Sequence, residues 1–464
     1  MALSIFKAKA LNLTSCYELP SYSANITMKT NKSLLSLAVA CGLMSVATTA
    51  NAAGFQLAEY SATGLGRAYA GEAAMADNAS SQWRNPALLM QLEGTQVSVG
   101  AIYVNPNLDV NGEVTHKTKS IEAGSEDFAN DAVIPNFYLS HRYNEQFAIG
   151  LALGTNYGME TNLGSDFDAS HFGNEAMIKS MEANLNLAYK LNEQFSFGGG
   201  LRLVHGEGHF GAVAPEHGGI KIPVINHEIV APHDTLKYME GDDYSWGWQV
   251  GTVWQLNDAN RIGFTYKSKV ELELEGHAEG AAFVLGDRDF KDTGSMMIEL
   301  PATAEIASYH QLTNSFAMHA SINWTDWSSF ERLTANLDNN PSSTVKDEHW
   351  EDNYRFALGA TYQVDPKLTL RTGVAYDTSA VSDKNRTITI PETDRTWLSL
   401  GASYVATKQL TLDAGFTYIM AKDADIKESR GYEADDKAQL VGGEFVGQTT
   451  GHVWLVGIQA NYTF

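Results

Sequence analysis

Cysteine is nearly absent: Cys16 and Cys41 are the 2 cysteines in 464 residues, and both lie ahead of the first patterned segment. Disulfide scaffolds, thiol nucleophiles and cysteine-ligated metals are therefore excluded for the body of the chain. Proline is scarce too, with 11 residues scattered along the length and no proline-rich linker, so one large domain is a simpler reading than several. After the leader there is no apolar run of about 18 residues, which excludes a transmembrane helix there. It does not exclude a strand-built membrane protein, whose residues meet lipid only alternately. Basic residues are few: 32 Lys+Arg stand against 55 Asp+Glu, a formal charge of −23. A nucleic-acid partner would want the opposite sign; solvated acidic loops account for the charge.

What is present is turn and aromatic chemistry. Forty glycines, 20 tyrosines, 19 phenylalanines and 9 tryptophans suit strands, turns and aromatic belts. Residues Met28 to Ala52 read as a secretory signal: Lys29 and Lys32, an apolar core from Leu34 to Val46, and Ala50-Asn51-Ala52 as the small-residue site. The expected division is a leader over 1–52, with its true start at Met28 and cleavage after Ala52, then a segment over 53–92, then a β-domain over 93–464.

Period-two alternation fills the β-domain, with turn residues between the runs. In the last run Trp454, Val456, Ile458, Ala460, Tyr462 and Phe464 point one way, while Gly457, Gln459, Asn461 and Thr463 point the other. One face suits lipid and the other a polar lumen. Such runs fall near 94–105, 133–143, 147–157, 179–190, 194–205, 241–255, 260–273, 295–309, 313–325, 352–363, 367–378, 395–405, 409–421 and 451–464. Short turns such as Asn192-Glu193 and Asp365-Pro366 alternate with long loops over 106–132, 158–178, 206–240, 274–294, 326–351, 379–394 and 422–450. This bookkeeping predicts an all-β fold, a closed antiparallel transmembrane barrel, since an open sheet edge is not tolerated in hydrocarbon. Segment 53–92, rich in Gly and Ala, is predicted to fill the barrel as a hatch.

Phe55, Gly64-Leu65-Gly66-Arg67-Ala68-Tyr69, Gly71-Glu72 and Asn85-Pro86-Ala87 together resemble the hatch of the FadL-type long-chain fatty acid transporters of Gram-negative outer membranes. In the same order, Asn156-Tyr157-Gly158, Arg371-Thr372-Gly373, the run Asn385 to Pro391, Asp394-Arg395 and Trp397-Leu398-Ser399 extend the resemblance towards the C-terminus. It implies about fourteen strands, an outer-membrane location, and passive uptake of long-chain fatty acids. Terminal Phe464 resembles the signal by which the barrel assembly machinery recognises its clients.

The resemblance also implies roles. An external groove for first capture would use the apolar residues of two loops, among them Ile222, Val224, Ile225, Phe283, Val284 and Leu285. A tighter internal site would use Phe55 and two basic residues, of which Lys346 matches one. The other falls at Ala212, a departure for which either His209 or Arg202 substitutes or the pocket favours a less charged ligand. Asn85, Pro86 and Ala87 would seat the hatch. Asn156, Tyr157 and Gly158 would form an inward kink that opens the wall sideways, with Gly251 beside that opening. Outer-membrane lipid would receive the cargo.

No cofactor, metal or catalytic residue is expected. Gly64-Leu65-Gly66 has no preceding strand and no βαβ unit to make it a nucleotide loop. The histidines at 205, 209, 217, 227 and 233 match no metal-ligand spacing, and no serine has a convincing His and acidic partner. Three rivals remain at this level: the same fold carrying aromatic hydrocarbons or other hydrophobic compounds, a surface receptor or adhesin presenting its acidic loops, and a water-filled porin.

Overall fold

The computed structural model describes residues 54–222, 227–284 and 287–464. The leader with its expected cleavage site lies outside the described residues, as do Val224, Ile225 and Leu285. Alternation has the predicted outcome: an antiparallel barrel of 14 strands. The first seven are β1 (Thr95–His116), β2 (Ala132–Arg142), β3 (Phe147–Gly154 continued by Gly158–Asn162), β4 (Glu175–Lys190), β5 (Phe195–Val213), β6 (Thr235–Asn257) and β7 (Asn260–Lys267 continued by Val270–Glu279). The others are β8 (Lys291–Leu300 continued by Thr303–Gln311), β9 (Phe316–Thr325), β10 (Asn353–Gln363), β11 (Leu368–Asp377), β12 (Arg395–Val405), β13 (Leu410–Ala421) and β14 (Glu444–Thr463). β14 pairs back onto β1 from Gln96↔Thr463 to Thr115↔Glu444. Closure leaves no free edge, which is the condition for strands in hydrocarbon.

Leu187, Leu201, Ile306, Leu358, Leu400 and Ile458 are exposed on the outside, whereas their strand neighbours Asn186, Arg202, Ala307, Ala357, Ser399 and Gln459 are buried. Aromatic pairs flank this band: Tyr462 with Phe464 at the short-turn end and Tyr103 with Trp454 towards the loops. On the loop side the strands outrun the sequence expectation. β1 continues to His116 and folds back onto Lys119–Ser125, while β5 reaches Val213 and β6 begins at Thr235. Asp109, Asn111 and Glu113 interrupt an apolar pattern there, because these extensions stand beyond the lipid and need only pair with one another.

The hatch starts at Gly54 and ends with the 3₁₀ turn Pro86–Gln91. Its short helix Ala62–Leu65 is capped by Ser61, whose hydroxyl accepts from the Gly64 N–H at 3.0 Å. The close approach expected of its own small residues depends as much on the wall. A Cβ at Gly198 would lie 2.3 Å from the Ala87 nitrogen, one at Gly263 1.9 Å from the Ala73 oxygen, and one at Gly373 2.0 Å from the Arg67 oxygen. Glycine in mid-strand is thus where hatch backbone presses on the barrel. Within the hatch Arg67 binds Glu72 at 2.6 Å and Asp77 at 2.7 Å, and across the contact Arg355 of the wall donates to the Ala68 carbonyl at 2.7 Å.

Candidate functional site

Among the described residues the barrel wall breaks between β2 and β3. β2 pairs with β3 only from Arg142↔Ala148 to Phe137↔Leu153; beyond it, Ala132–Asn136 keep their partners on β1 alone. The two strands meet again near Ala129↔Thr161, where Asn162 donates to the Phe128 carbonyl at 2.7 Å. The cause lies in β3. Between Gly154↔Glu182 and Gly158↔Lys179, three residues, Thr155 to Tyr157, oppose two on β4. This bulge turns the backbone away from β2, and Ser180 patches it by accepting from the Tyr157 N–H at 3.1 Å.

The polar backbone released from β2 is taken up by the hatch. Gly158 N–H donates to the Phe55 carbonyl at 2.8 Å, Leu57 N–H donates to the Asn156 carbonyl at 2.6 Å, and Gln56 bridges Tyr157. Residues 55–57 thereby act as a surrogate strand and satisfy groups that would otherwise be orphaned. The Phe55 ring is fully buried among Trp327, Phe330, Trp350 and Tyr157, at centroid distances of 4.5, 5.5, 5.9 and 6.1 Å. Behind the bulge, the Asn156 side chain donates to Glu182 at 2.6 Å.

Above this aromatic layer lies a cavity of about 400 Å³ under the long loops. Phe210, Ala212, Leu236, Phe283, Val284 and Val345 give it apolar walls; His171, Lys237, Lys346, Asp435 and Lys437 give it polar ones. The helix Glu433–Gly442 forms one side with Ala434, Ala438 and Val441. Its N-terminal end is pinned where Arg430 clasps Asp435 at 2.7 and 3.0 Å. Beyond its C-terminal end, His171 bonds the Gly443 carbonyl at 2.9 Å. The cavity walls and Phe55 belong to one continuous apolar cluster, joined by Ile220, Ile229 and Phe283.

The structure thus brings Phe283, Val284, Lys346 and Ala212 to one cavity and Phe55 to the layer beneath it. Ile222 lies on the short strand Ile220–Ile222, paired with His227–Val230 in the same loop. Asn85 caps the turn Pro86–Gln91 by accepting from the Ala87 N–H at 3.0 Å, and its amide donates to the Ala73 and Thr252 carbonyls at 2.7 and 3.1 Å.

Three expectations need correction. Gly251 is not beside the wall break. It pairs with Gly198, level with Ala188 and Ala148 across the sheet, and a Cβ there would sit 2.0 Å from Asn85 Oδ1; its smallness serves the hatch. Arg202 does not replace the cation absent at Ala212, because it is held two-pronged by Glu182 at 2.8 Å and donates to the Ser268 carbonyl at 2.8 Å. Nor does His209, which stacks on Tyr238 and alternates away from the inward-facing Phe210. Lys346 is buried, and its ammonium is 3.1 Å from both oxygens of fully buried Glu428 and 3.1 Å from the Phe172 carbonyl. The residue that sequence reasoning missed is Lys237, paired with Ala212 across the β5–β6 ladder. Only knowledge of the register could have revealed it.

A family model described as outer membrane protein transport protein (OMPP1/FadL/TodX) matches residues 43–464. The chain is 35% identical to outer membrane protein P1 of Haemophilus influenzae, over 94% of this chain and 100% of that protein. It is 32% identical to the long-chain fatty acid transport protein of Escherichia coli, over 95% and 100%. Among solved structures, a FadL homologue from Pseudomonas aeruginosa superposes with a TM-score of 0.77 at 24% identity, covering 89% of this chain and all 100% of that one. The toluene transporter TodX from Pseudomonas putida does so at 0.61 and 16% identity, covering 83% and 94%. Likeness at these identities carries the fold alone.

Proposed function

This chain belongs to the OMPP1/FadL/TodX family of outer-membrane transporters of hydrophobic compounds, and from that premise we propose that it imports long-chain fatty acids passively, with sideways release into the membrane. The observation that carries this reading is the alignment of three features. A loop-capped cavity with apolar walls and lysines lies above; the Phe55 layer lies below it; and the wall break lies where residues 55–57 replace β2 as the partner of β3. A cavity of about 400 Å³ falls within the range of small-molecule sites, roughly 300–1,000 Å³. Beneath the break the hatch fills the lumen, so a straight descent would require unseating it.

Cargo is captured on the apolar loop surfaces around Ile222, Val224, Ile225, Phe283, Val284 and Leu285 and settles in the cavity, with its carboxylate towards the lysines and its tail towards Phe55. Displacing residues 55–57 then frees the edge at Asn156–Gly158, and the tail leaves through the break without crossing water. That matters, because exposing it costs about 0.8 kcal/mol per CH₂. Consumption inside the cell keeps the flow downhill. The exposed terminal Phe464 fits recognition by the barrel assembly machinery.

One observation favours a second reading: Lys346 is already neutralised by Glu428, which lowers the premium on an anionic cargo and admits uncharged hydrophobic compounds. Uptake of labelled oleate and of toluene by cells lacking other hydrophobic-compound channels separates the two. Oleate accumulation that depends on this chain supports the fatty acid reading, and accumulation of toluene alone overturns it.

A further inference from the structure

Three lysines line the cavity, and they differ in how many donors they have left. An ammonium has three N–H groups. Lys346 directs its ammonium at both Glu428 oxygens and at the Phe172 carbonyl, each at 3.1 Å. Glu428 is fully buried, accepts from the Ile388 N–H at 3.0 Å and stands 3.8 Å from Arg430. Pulling Lys346 towards a ligand would strip a buried carboxylate of its partner, the costly way to break an ion pair. Lys437 is mostly exposed and pairs with Glu433 at 2.7 Å; a charge so placed is screened by water and salt.

Lys237 is built differently. The β5–β6 register shifts between Thr235 and Lys237, a bulge that brings both Leu236 and Lys237 onto the cavity wall. The ammonium donates to the Thr344 carbonyl at 2.9 Å and lies 6.0 Å from the centre of the Phe283 ring. Among the described residues it forms no ion pair, so two of its three donors remain for a ligand. Leu236, Phe210, Phe283 and Val345 line the same cavity, together with Asp435 and the two other lysines, and a charge-assisted bond made there is stronger than one made in water. Position 212 carries only a methyl group directly across the ladder, which leaves room beside the lysine for a carboxylate.

We propose that Lys237, rather than Lys346, holds the anionic head group of the cargo and sets the preference for an acid over its uncharged analogue. Lys346 is then a positioning residue that holds the loop bearing Glu428 against the cavity. This assignment rests on the fatty acid reading above.

The test uses the full chain in lipid nanodiscs, titrated with a fluorescent C18 carboxylic acid and with its methyl ester. Wild type binds the acid more tightly than the ester. Lys237→Gln loses about tenfold or more in affinity for the acid, the scale of one charged hydrogen bond, with the ester unchanged, and Lys237→Arg restores the acid. If wild type binds neither ligand, the cargo reading falls and this assignment falls with it. If wild type binds the acid and Lys237→Gln binds it equally well, or loses acid and ester alike, the Lys237 assignment alone is overturned.

Discussion

The Phe55 carbonyl accepts a hydrogen bond from the Gly158 N–H at 2.8 Å, a bond that an unbroken wall would make between β2 and β3. The start of the hatch is therefore also the missing edge of the barrel. Movement of residues 55–57 changes the cavity floor and the wall together, since Phe55 provides the ring for one and the carbonyl for the other. On the proposed route, cargo that displaces the ring from Trp327 and Trp350 would loosen the seal at Asn156–Gly158.

Truncating that ring should loosen the seal without cargo. Phe55→Ala removes a side chain packed by four aromatic neighbours, at a cost of about 3–5 kcal/mol if the site does not collapse. The Leu57 N–H, bonded to the Asn156 carbonyl, should then exchange with deuterium roughly 100-fold faster, while amides in β9 and β10 stay protected. Unchanged protection at Leu57 would mean that its backbone bonds, not Phe55, hold the segment.

The bulge is one residue long, so it can be removed. Deleting Asn156 leaves Thr155 and Tyr157 facing Met181 and Ser180, a register continuous with Gly154↔Glu182 and Gly158↔Lys179. β3 then runs on beside β2, and the wall closes. Purified deletion protein should still bind oleate, because the cavity residues are untouched, whereas cells carrying it should take up little or none. Normal uptake would rule out this break as the exit.

Two glycines near one another on the sheet give a matched pair for the hatch. A Cβ at Gly251 meets Asn85 Oδ1 at 2.0 Å, but one at Gly199 meets only the Gln249 carbonyl, at an ordinary 3.6 Å. Gly251→Ala should displace Asn85 from the Ala73 and Thr252 carbonyls, lower the melting temperature by several degrees, and raise ion conductance in planar bilayers. Gly199→Ala should behave as wild type on both counts. Equal behaviour of the two variants would show that Asn85 yields without disturbing the hatch.

Legibility in the sequence followed the range of the physics. Alternation at residues such as Trp454 and Ile458 reports lipid on one side and lumen on the other, a local signal, so the barrel and its strand order were readable. The extension of β1 past Asp109 was not, because there the outward face turns polar at Asp109, Asn111 and Glu113 while Val110 and Val114 stay buried, so the lipid signal that marks a spanning strand is gone and pairing with β14 shows the strand. Gly251 was misplaced because its smallness was visible and the hatch atom opposite it was not. Lys346 lines the cavity, yet its partner Glu428 lies 82 residues away in sequence. Lys237 and Ala212 became neighbours only when the register was known.

The loop cap should respond to pH through Glu348. This carboxyl accepts from Trp350 Nε1 at 3.0 Å, and Trp350 packs on Phe55. Burial pushes Glu348 up from the ordinary 4.5 to about 7, although Arg430 and Lys346 pull against the rise. A group bound to its proton more tightly in the folded state stabilises that state fully below its unfolded value and loses the contribution as pH rises through its folded one. The cap should therefore be tightest below about pH 4.5 and loosen by pH 7, by something on the order of 3 kcal/mol for a wholly buried carboxyl. Asp77 in the hatch has the opposite sign: burial opposes its charge, but Arg67 and Arg371 outweigh it and hold the carboxyl at about 2, so its contribution is lost only in stronger acid. Glu59 and Glu392, also pushed up to about 7 by burial, keep their own shares of the slope. Glu348→Gln retains an acceptor for Trp350 and removes one titrating group. Hydrogen exchange over residues 327–350, corrected for the intrinsic rate, should rise from pH 5 to pH 8 in wild type and rise much less in the variant. An equal rise in both would assign the loosening to Glu59 or Glu392 instead.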